Sequence, residues 1–353
     1  MAINMKATYK KYILNFKRPS GTSRGIMTEK ETWFLLLEEN GKIGIGECGL
    51  LRGLSIDDRP DYEEKLQWVC DNIDLGKDKL WDELIEFPSI QFGVEMAFLS
   101  LQSKYPFELF PSTFTQGKVN MLINGLVWMG EESFMKTQIE DKLVQGFSCI
   151  KLKIGAIDFD KELGLLRFIR QNFDAKTIEI RVDANGAFSS NEALDKLIQL
   201  FEFELHSIEQ PIQKNNTDMM SELCKTTPIP IALDEELIGV FNYEDKAKLL
   251  DAILPQYIIL KPSFIGGFKG TLEWIALAEK RNIGWWITSA LESNIGLNAI
   301  TQFTYTLNNK MPQGLGTGGL YTNNFDCPLE IENGHIQYNP GKNWDVSNLG
   351  LQL

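Results

Sequence analysis

Five charged residues follow one another at nearly constant spacing along the middle of the chain, and each ends a short apolar run. They are Lys153, Asp183, Glu209, Asp234 and Lys261, which lie 30, 26, 25 and 27 residues apart. One strand with its connecting helix occupies roughly 30 residues. The spacing therefore indicates consecutive βα units that feed a parallel sheet.

Eight strand-like segments extend this rhythm far enough to close a sheet on itself. They read VNMLING, SCIKLKIG, TIEIRVDANG, LHSIEQPI, IPIALDEE, YIILKPS, GWWITSA and a weaker GLGTGG, with amphipathic helical stretches between them. Eight parallel strands alternating with helices are typical of a β/α barrel, which we predict over residues 116–325. We do not interpret GLGTGG as a dinucleotide-binding loop, because no βαβ unit or acidic partner follows it.

The segments on either side of the predicted barrel have a different sequence pattern. Residues 1–115 combine strand-like alternation with two helical patterns, and Asn40-Gly41 between two strand-like runs predicts a hairpin. We therefore predict an α+β domain over residues 1–115. The segment 326–353 leaves the βα rhythm, and we expect it to pack back on that N-terminal domain.

Strand parity turns the charged residues toward the barrel interior. The two lysines of IKLKI alternate with apolar residues, as do Arg181, Asp183 and Asn185 in TIEIRVDAN. Alternate residues of a strand face opposite sides of a sheet, and the apolar side must face the helices. Two structural explanations of these charges are a half-exposed antiparallel sheet that carries them on its solvent-exposed face, or an ion-pair network that only stabilises the fold. Burying so many charges is costly, so a functional site at the barrel mouth explains them better.

Three of these side chains form an oxygen-only ligand set. Asp183, Glu209 and Asp234 come from successive strands, and converging carboxylates suit a hard cation such as Mg²⁺, with Mn²⁺ as a substitute. Ligand type alone leaves calcium open. The histidines His206 and His335 are far apart, which disfavours a histidine-rich zinc or iron site. His206 shares the parity of a helix-facing residue, and we expect it to be structural.

The lysines suit proton abstraction. Lys153 and Lys261 come from the second and sixth strands and would face each other across the mouth. Lys151 lies on the same face as Lys153, and a neighbouring positive charge lowers a lysine pKa toward working pH. A metal ion that neutralises a substrate carboxylate makes its α-proton acidic enough for such a base.

Composition narrows the class of partner and the compartment. A net charge of −13 argues against nucleic acid or an anionic membrane as the main partner, and a small carboxylate substrate fits better. The start lacks the apolar core of a signal peptide, and no apolar stretch is long enough to span a bilayer. Five scattered cysteines without a C-x-x-C pair make a disulfide framework improbable and favour the cytoplasm. Oligomeric state is not indicated.

The order of the motifs carries a family resemblance over nearly the whole chain. IKLKIG, RVDANGAF, IEQPI, ALDEEL, ILKPSFIGG and TSALESNIG follow in the order and spacing of the muconate-lactonising subgroup of the enolase superfamily. Within that subgroup, SALESNIGLNAI followed by GLGTGGLYTNN is similar to the o-succinylbenzoate synthase family. The resemblance implies an α/β fold, a modified TIM barrel (β/α)₇β with an α+β capping domain.

The resemblance also implies roles for the charged residues. Asp183, Glu209 and Asp234 would hold Mg²⁺, Lys153 would be the base, and Lys261 would face an enediolate intermediate as a cation. The implied reaction is syn elimination of water from 2-succinyl-6-hydroxy-2,4-cyclohexadiene-1-carboxylate, in menaquinone biosynthesis. We expect supporting or substrate-binding roles for four further residues, Lys151, Arg181, Asn185 and Ser289, the last at the succinyl end.

The resemblance further implies that the loops RPSGTSRG and GLLRGLSIDD of the capping domain act as lids. Arg24 and Arg52 in these loops would then contact an anion.

Two other functions remain open at this point. An N-acylamino acid racemase or a dipeptide epimerase on the same scaffold would need both lysines as an acid/base pair. Dipeptide epimerases of this subgroup carry an aspartate pair on strand eight, where this chain has GTGGL. The missing pair argues against a dipeptide epimerase but not against an N-acylamino acid racemase. A non-catalytic barrel that binds a carboxylate or a metal is less favoured, because it would be expected to have lost a ligand or a lysine.

Overall fold

A computed structural model of the chain describes residues 5–22 and 25–351, and the bounds below refer to them. The strands are β1 (Lys6–Thr22), β2 (Gly25–Glu39), β3 (Lys42–Cys48), β4 (Met121–Leu122), β5 (Gly125–Val127), β6 (Cys149–Lys153), β7 (Glu179–Asp183), β8 (Ser207–Glu209), β9 (Ile231–Leu233), β10 (Tyr257–Leu260), β11 (Gly284–Ile287), β12 (Leu329–Glu332) and β13 (His335–Tyr338).

The helices are α1 (Tyr62–Asp71), α2 (Lys77–Glu83), α3 (Pro88–Gln102), α4 (Glu132–Val144), α5 (Phe159–Asn172), α6 (Ala193–Phe201), α7 (Thr217–Thr226), α8 (Tyr243–Ile253), α9 (Pro262–Ile265), α10 (Gly267–Glu279) and α11 (Asn294–Thr306). Short 3₁₀ turns lie at Ile73–Leu75, Glu235–Leu237 and Ser347–Leu349. No helix within these described bounds is long and apolar enough to cross a membrane.

The N-terminal strands form a separate antiparallel sheet in the order β1-β2-β3. The hairpin predicted at Asn40-Gly41 is confirmed, since Glu39 pairs with Lys42 across it and both turn residues have positive φ. Helix α3 packs closely on β3 because Gly44 and Gly46 have no side chain. A Cβ at Gly46 would lie 1.8 Å from a backbone oxygen of α3. This packing makes the N-terminal sheet a firm support for the loop that follows β3.

The second sheet is the predicted barrel. Its seven parallel strands run in the order β5 to β11 without a break in sequence. The segment predicted as the weak eighth strand forms only isolated bridges, Gln313 to Ile123 on one side and Gly314 to Thr288 on the other. These bridges join the two edges of the sheet. The modified (β/α)₇β barrel with an α+β cap is therefore confirmed.

Strand parity holds around the barrel. Ala232, Ile259 and Trp286 pack together in a small cluster of their own, which fills the interior. Their outward neighbours, such as Ile231 and Ile258, belong to the main core with the helices. Asp234 and Lys261 continue the inward faces of β9 and β10, as the sequence predicts, and so project into the barrel mouth.

The C-terminal segment has contacts with both parts of the molecule. The hairpin β12–β13 pairs with β4, near the start of the barrel, and not with the N-terminal sheet. Further along, Lys10 Nζ donates to the carbonyl of Asn348 at 3.3 Å, and Trp344 stacks on Phe107. The boundaries 1–115, 116–325 and 326–353 stay a prediction.

Candidate active site

The register of the parallel strands brings the charged residues to one level. Lys153 pairs with Asp183 between β6 and β7, and Asp183 pairs with Glu209 between β7 and β8. Asp234 and Lys261 directly follow β9 and β10 at the same end of the sheet. The five residues at the periodic spacing therefore meet at the mouth, which is where barrel enzymes place their chemistry.

Each of the three proposed metal ligands is in contact with a lysine. Lys151 Nζ lies 2.9 Å from Oδ2 of Asp183 and also contacts Oε2 of Glu209. Lys153 Nζ donates to the same Asp183 oxygen at 2.9 Å. Lys261 donates to Asp234 and lies 3.9 Å from Oε1 of Glu209. Three lysine ammonium groups thus lie against three buried carboxyl groups.

Burial and mutual attraction compete in the protonation of this cluster. Burial alone would raise the pKa of Asp183, but Lys151 and Lys153 lower it well below its usual range. Burial and the Asp183 carboxylate raise the pKa of Glu209 to about 8. Burial disfavours the cationic form of Lys151, but Asp183 and Glu209 outweigh it and raise its pKa. Lys151 is thus a fixed positive charge beside Lys153.

The donor set fits a hard divalent cation. Oε1 of Glu209 is buried and has no hydrogen-bond partner, and a buried polar oxygen without a hydrogen bond is costly. Within residues 5–22 and 25–351, no three His, Cys, Asp or Glu side chains are spaced to hold a metal as they stand. The lysine ammonium groups explain this, because they lie between the carboxylates. A cation such as Mg²⁺ would replace these lysine contacts with its own.

Asn185 helps to hold Lys153. Lys153 Nζ donates to Oδ1 of Asn185 at 2.7 Å, and the Asn185 amide donates to Glu235 at 2.9 Å. Asn185 has φ near 44°, a left-handed conformation that asparagine tolerates better than most residues. The structure thus places the side chain of Lys153 between two acceptors, one on each side.

A pocket opens above this cluster. Lys153 and Lys261 lie on its charged side, and Leu54, Trp128 and Phe264 contribute an apolar wall. Ser289, Thr317 and the first two glycines of GLGTGG, Gly314 and Gly316, form another part of the lining. The pocket therefore offers cations at one place, an apolar surface for a ring, and hydroxyl groups with backbone amides at another.

Ser289 lies in the pocket lining, but its hydroxyl group is already bonded. Its O–H donates to Oε2 of Glu292 at 2.6 Å, and its oxygen accepts from Thr317 and from the Leu291 amide. Sequence reasoning did not single out Glu292, which is completely buried. The signal was available, because an acidic residue inside SALESNIG interrupts a small and apolar run.

Arg181 does not reach the pocket. Its guanidinium lies over the ring of Trp286, donates to Glu179 at 2.7 Å and donates to the carbonyl of Pro312 at 2.9 Å. It faces the interior as predicted, but two residues earlier on its strand than Asp183, and so about 6.6 Å deeper. The structure therefore gives it a place in the barrel floor and not beside substrate.

Two expectations about other residues need correction. The ring of His206 stacks on Tyr257 at 4.9 Å and also contacts Trp286 of the barrel interior, so it does not face the helices. His206 precedes β8, so the parity of that strand does not extend to it. Arg52 pairs with Glu31 and Asp58 at the surface. Arg24 lies outside the described residues.

Comparisons with known proteins agree with this geometry. A family described as enolase C-terminal domain-like matches residues 135–342. The o-succinylbenzoate synthase of Desulfotalea psychrophila is 47% identical, covering 94% of this chain and 98% of that protein. A crystal structure of MenC from the same organism has a TM-score of 0.84 at 43% identity, over 94% of this chain and 99% of that one. The L-Ala-D/L-Glu epimerase of Bacillus subtilis is 26% identical over 59% of this chain and 56% of its own length.

Proposed function

Because the chain belongs to the enolase superfamily and, within it, to the o-succinylbenzoate synthases, we propose that it is the lyase of that reaction. It dehydrates 2-succinyl-6-hydroxy-2,4-cyclohexadiene-1-carboxylate to o-succinylbenzoate in menaquinone biosynthesis. The observation that carries this proposal is the 47% identity with a relative that this chain covers almost from end to end. The epimerase relative is more distant and matches just over half of the chain.

Members of the superfamily generally use a divalent metal, and Mg²⁺ is the ion we propose here. Asp183, Glu209 and Asp234 would hold it, and the unpaired Oε1 of Glu209 supports this assignment. When bound, the cation neutralises the substrate carboxylate and so makes the adjacent proton more acidic. Mn²⁺ has the same preference for oxygen ligands and should substitute.

Lys153 is the proposed base. In its neutral form it takes the α-proton of the substrate and then returns that proton to the departing hydroxyl group, so no proton is gained or lost overall. Asn185 and Asp183 fix its position. Lys151, whose charged form Asp183 and Glu209 stabilise, lies beside it on the same strand face.

Lys261 has a different proposed role, that of a fixed cation. Its ammonium group contacts Asp234 and approaches Glu209, and these two carboxylates raise its pKa against the effect of burial. A lysine held charged stabilises negative charge that develops on the substrate, and it needs no proton transfer to do so. The elimination therefore uses one base, whereas racemisation would use both lysines.

The rest of the pocket selects and shields the substrate. Leu54, Trp128 and Phe264 offer the six-membered ring an apolar surface and exclude water from the reacting carbon. The hydroxyl-lined side near Ser289 and Thr317 is left for the succinyl group.

The cytoplasm, the compartment we propose, is consistent with five cysteines that form no disulfide.

The substrate assignment is tested by assaying the purified protein side by side on three classes of compound. These are the cyclohexadiene carboxylate, N-succinylamino acids and L-Ala-D/L-Glu. We expect kcat/KM on the cyclohexadiene carboxylate to exceed the other values by a large factor. A dominant rate on either amino-acid substrate would overturn the assignment while leaving the metal and lysine proposals in place.

A further inference from the structure

Glu292 is a completely buried carboxylate that the proposed reaction does not use. It follows β11 in the loop that leads to α11, and both of its oxygens are occupied. Oε1 accepts from the hydroxyl group of Ser263, and Oε2 accepts from Ser289 Oγ at 2.6 Å and the Ala290 amide at 2.7 Å. A buried anion with three donors is strongly held in place, because each charge-assisted bond would be costly to lose.

These contacts connect the ends of three consecutive barrel strands. Ser263 lies two residues after Lys261, at the end of the sixth strand. Ser289 follows the seventh strand, and Thr317, which donates to Ser289 at 2.8 Å, follows the bridge that serves as the eighth. Glu292 therefore fixes the Lys261 side of the mouth relative to the hydroxyl-lined side.

The direction of these hydrogen bonds decides what the pocket offers to a ligand. An ionised carboxylate can only accept, so the Ser289 proton must point to Glu292. The Thr317 hydroxyl group in turn donates to Ser289. Ser289 therefore has no proton left for a substrate carboxylate, and the donors on this side must be other groups, such as the backbone amides of the glycine-rich segment. Ser289 then acts by holding that segment.

The backbone beside Glu292 is strained in a way that supports a functional role. Leu291, a pocket-lining residue, has φ near 64°, and a left-handed conformation is unfavourable for a non-glycine residue. Such a conformation persists only where the surroundings impose it, and it is concentrated at functional sites. Here the Tyr321 hydroxyl donates to the Leu291 carbonyl at 2.7 Å, and the amide of the preceding residue, Ala290, donates to Glu292.

The capping domain places a buried lysine near this loop. Lys30 Nζ has no hydrogen-bond partner in the described chain, and burial lowers the pKa of Lys30 although the carboxylates of Glu47 and Glu292 favour its charged form. Glu47 in turn accepts from the Ser293 amide at 2.9 Å and its hydroxyl group at 2.6 Å. The cap thus binds the same loop through the next residue, which provides a natural control.

From these contacts we infer that Glu292 is a positioning residue for the succinyl-binding side of the pocket. It holds Ser289, and through it Thr317 and the glycine-rich segment, at a fixed distance from the strand end that carries Lys261. The inference rests on the proposed function, because it assigns the succinyl group to this side.

The test compares two competitive inhibitors that differ only in the succinyl group, o-succinylbenzoate and benzoate. In Glu292→Gln, which has the same size but donates where the carboxylate accepts, we expect o-succinylbenzoate to bind about tenfold more weakly. Benzoate should change by less than about threefold, because it does not reach the affected side. KM for the substrate should rise more than kcat falls, and Glu292→Asp should recover part of the loss.

Ser293→Ala is the matched control, since it removes two buried hydrogen bonds from the same loop, to Glu47 and from the Ile295 amide, without touching Ser289. It should lower stability and leave the ratio of the two inhibition constants unchanged. If Glu292→Gln does not fold, Thr317→Val removes the far end of the same chain of bonds and should shift the ratio in the same direction. Equal weakening of both inhibitors, or none, would overturn the positioning role. A wild-type protein inactive on the cyclohexadiene carboxylate would contradict the proposed function instead.

Discussion

The ammonium nitrogen of Lys153 lies 2.9 Å from Oδ2 of Asp183, across one rung of the ladder between β6 and β7. The proposed base therefore contacts a proposed metal ligand directly. A cation bound to Asp183 would compete with the Lys153 contact for the same carboxylate. Metal binding and the position of the proposed base are therefore linked through this one contact.

The first prediction concerns the metal. Exhaustive chelation should abolish dehydration, and Mg²⁺ or Mn²⁺ should restore it. Asp183→Asn should lower kcat by about a thousandfold or more, because several kcal/mol of transition-state stabilisation are lost. Thermal unfolding supplies a readout besides activity, since Mg²⁺ should raise Tm of the wild type and not of Asp183→Asn. Full activity of chelated, metal-free protein would refute the assignment.

The second prediction concerns the loop of residues 50–58, which follows β3. Leu51 and Leu54 of this loop line the pocket, and Asp57 anchors it by accepting from the Ser89 amide and hydroxyl group. We expect amide hydrogen exchange in this loop to slow at least about threefold when o-succinylbenzoate binds, because the ligand packs against the two leucines.

The hairpin turn at Asn40-Gly41 is the internal control for this experiment, since it belongs to the same sheet and lies away from the pocket. Slowing in both segments would indicate general stabilisation. Unchanged exchange in residues 50–58 would mean that this loop is a passive part of the surface.

The period and parity of the charged residues carried most of the fold prediction. Strand length and side-chain alternation are local properties, so the seven strands and their inward faces could be read from the sequence. The closing strand gave only a weak signal in GLGTGG, because Gln313 and Gly314 form single bridges with no apolar run of their own. The pairing of the C-terminal hairpin with Met121–Leu122 is a contact between distant segments and left no local signal.

The third prediction uses the pH dependence of stability. Glu95 on α3 accepts from the Phe268 and Lys269 amides at the start of α10, and burial raises its pKa to about 7. A carboxyl group whose pKa is raised on folding contributes stability that is present below its unfolded pKa, near 4.5. That contribution is lost as the pH rises through about 7.

Glu95→Gln removes this titration. Between pH 5 and pH 8 the free energy of unfolding of the wild type should therefore fall relative to that of Glu95→Gln, by roughly 2 kcal/mol. Urea denaturation at the two pH values measures the difference, and Glu83→Gln on the exposed side of α2 is the control. Parallel pH profiles for wild type and Glu95→Gln would show that Glu95 keeps an ordinary pKa.

The fourth prediction separates the barrel floor from the mouth. Arg181 is buried beside Trp286 and bonded to Glu179 and a carbonyl, so Arg181→Met should lower the free energy of unfolding by about 3 kcal/mol. Because Arg181 does not line the pocket, KM should stay within about twofold. A stable Arg181→Met protein with a greatly raised KM would indicate that Arg181 does contact the substrate.

The candidate site was less predictable than the fold, because the sequence does not give the level of a side chain along the barrel axis. Parity gives the direction of a side chain but not its level along the barrel, so Arg181 and Asp183 were equivalent in the sequence. The lysine–carboxylate contacts followed from register, which neighbouring strands of similar length specify well. Glu292 was missed because its partners Ser263, Ser289 and Thr317 come from three separate strand ends, and such a convergence has no signature in any single segment.

The proposed elimination uses one base, Lys153, and one fixed cation, Lys261, and a matched pair of lysine-to-arginine substitutions distinguishes the two roles. Arginine keeps a positive charge but is not deprotonated in proteins. In assays of o-succinylbenzoate formation with saturating Mg²⁺, Lys153→Arg should lose about a thousandfold in kcat, the contribution typical of a general base. Lys261→Arg should retain much more activity, within about a hundredfold of wild type, because only a charge is required there. A Lys153→Arg enzyme within about tenfold of wild type, equivalent to roughly 1.4 kcal/mol of barrier, would contradict the central claim.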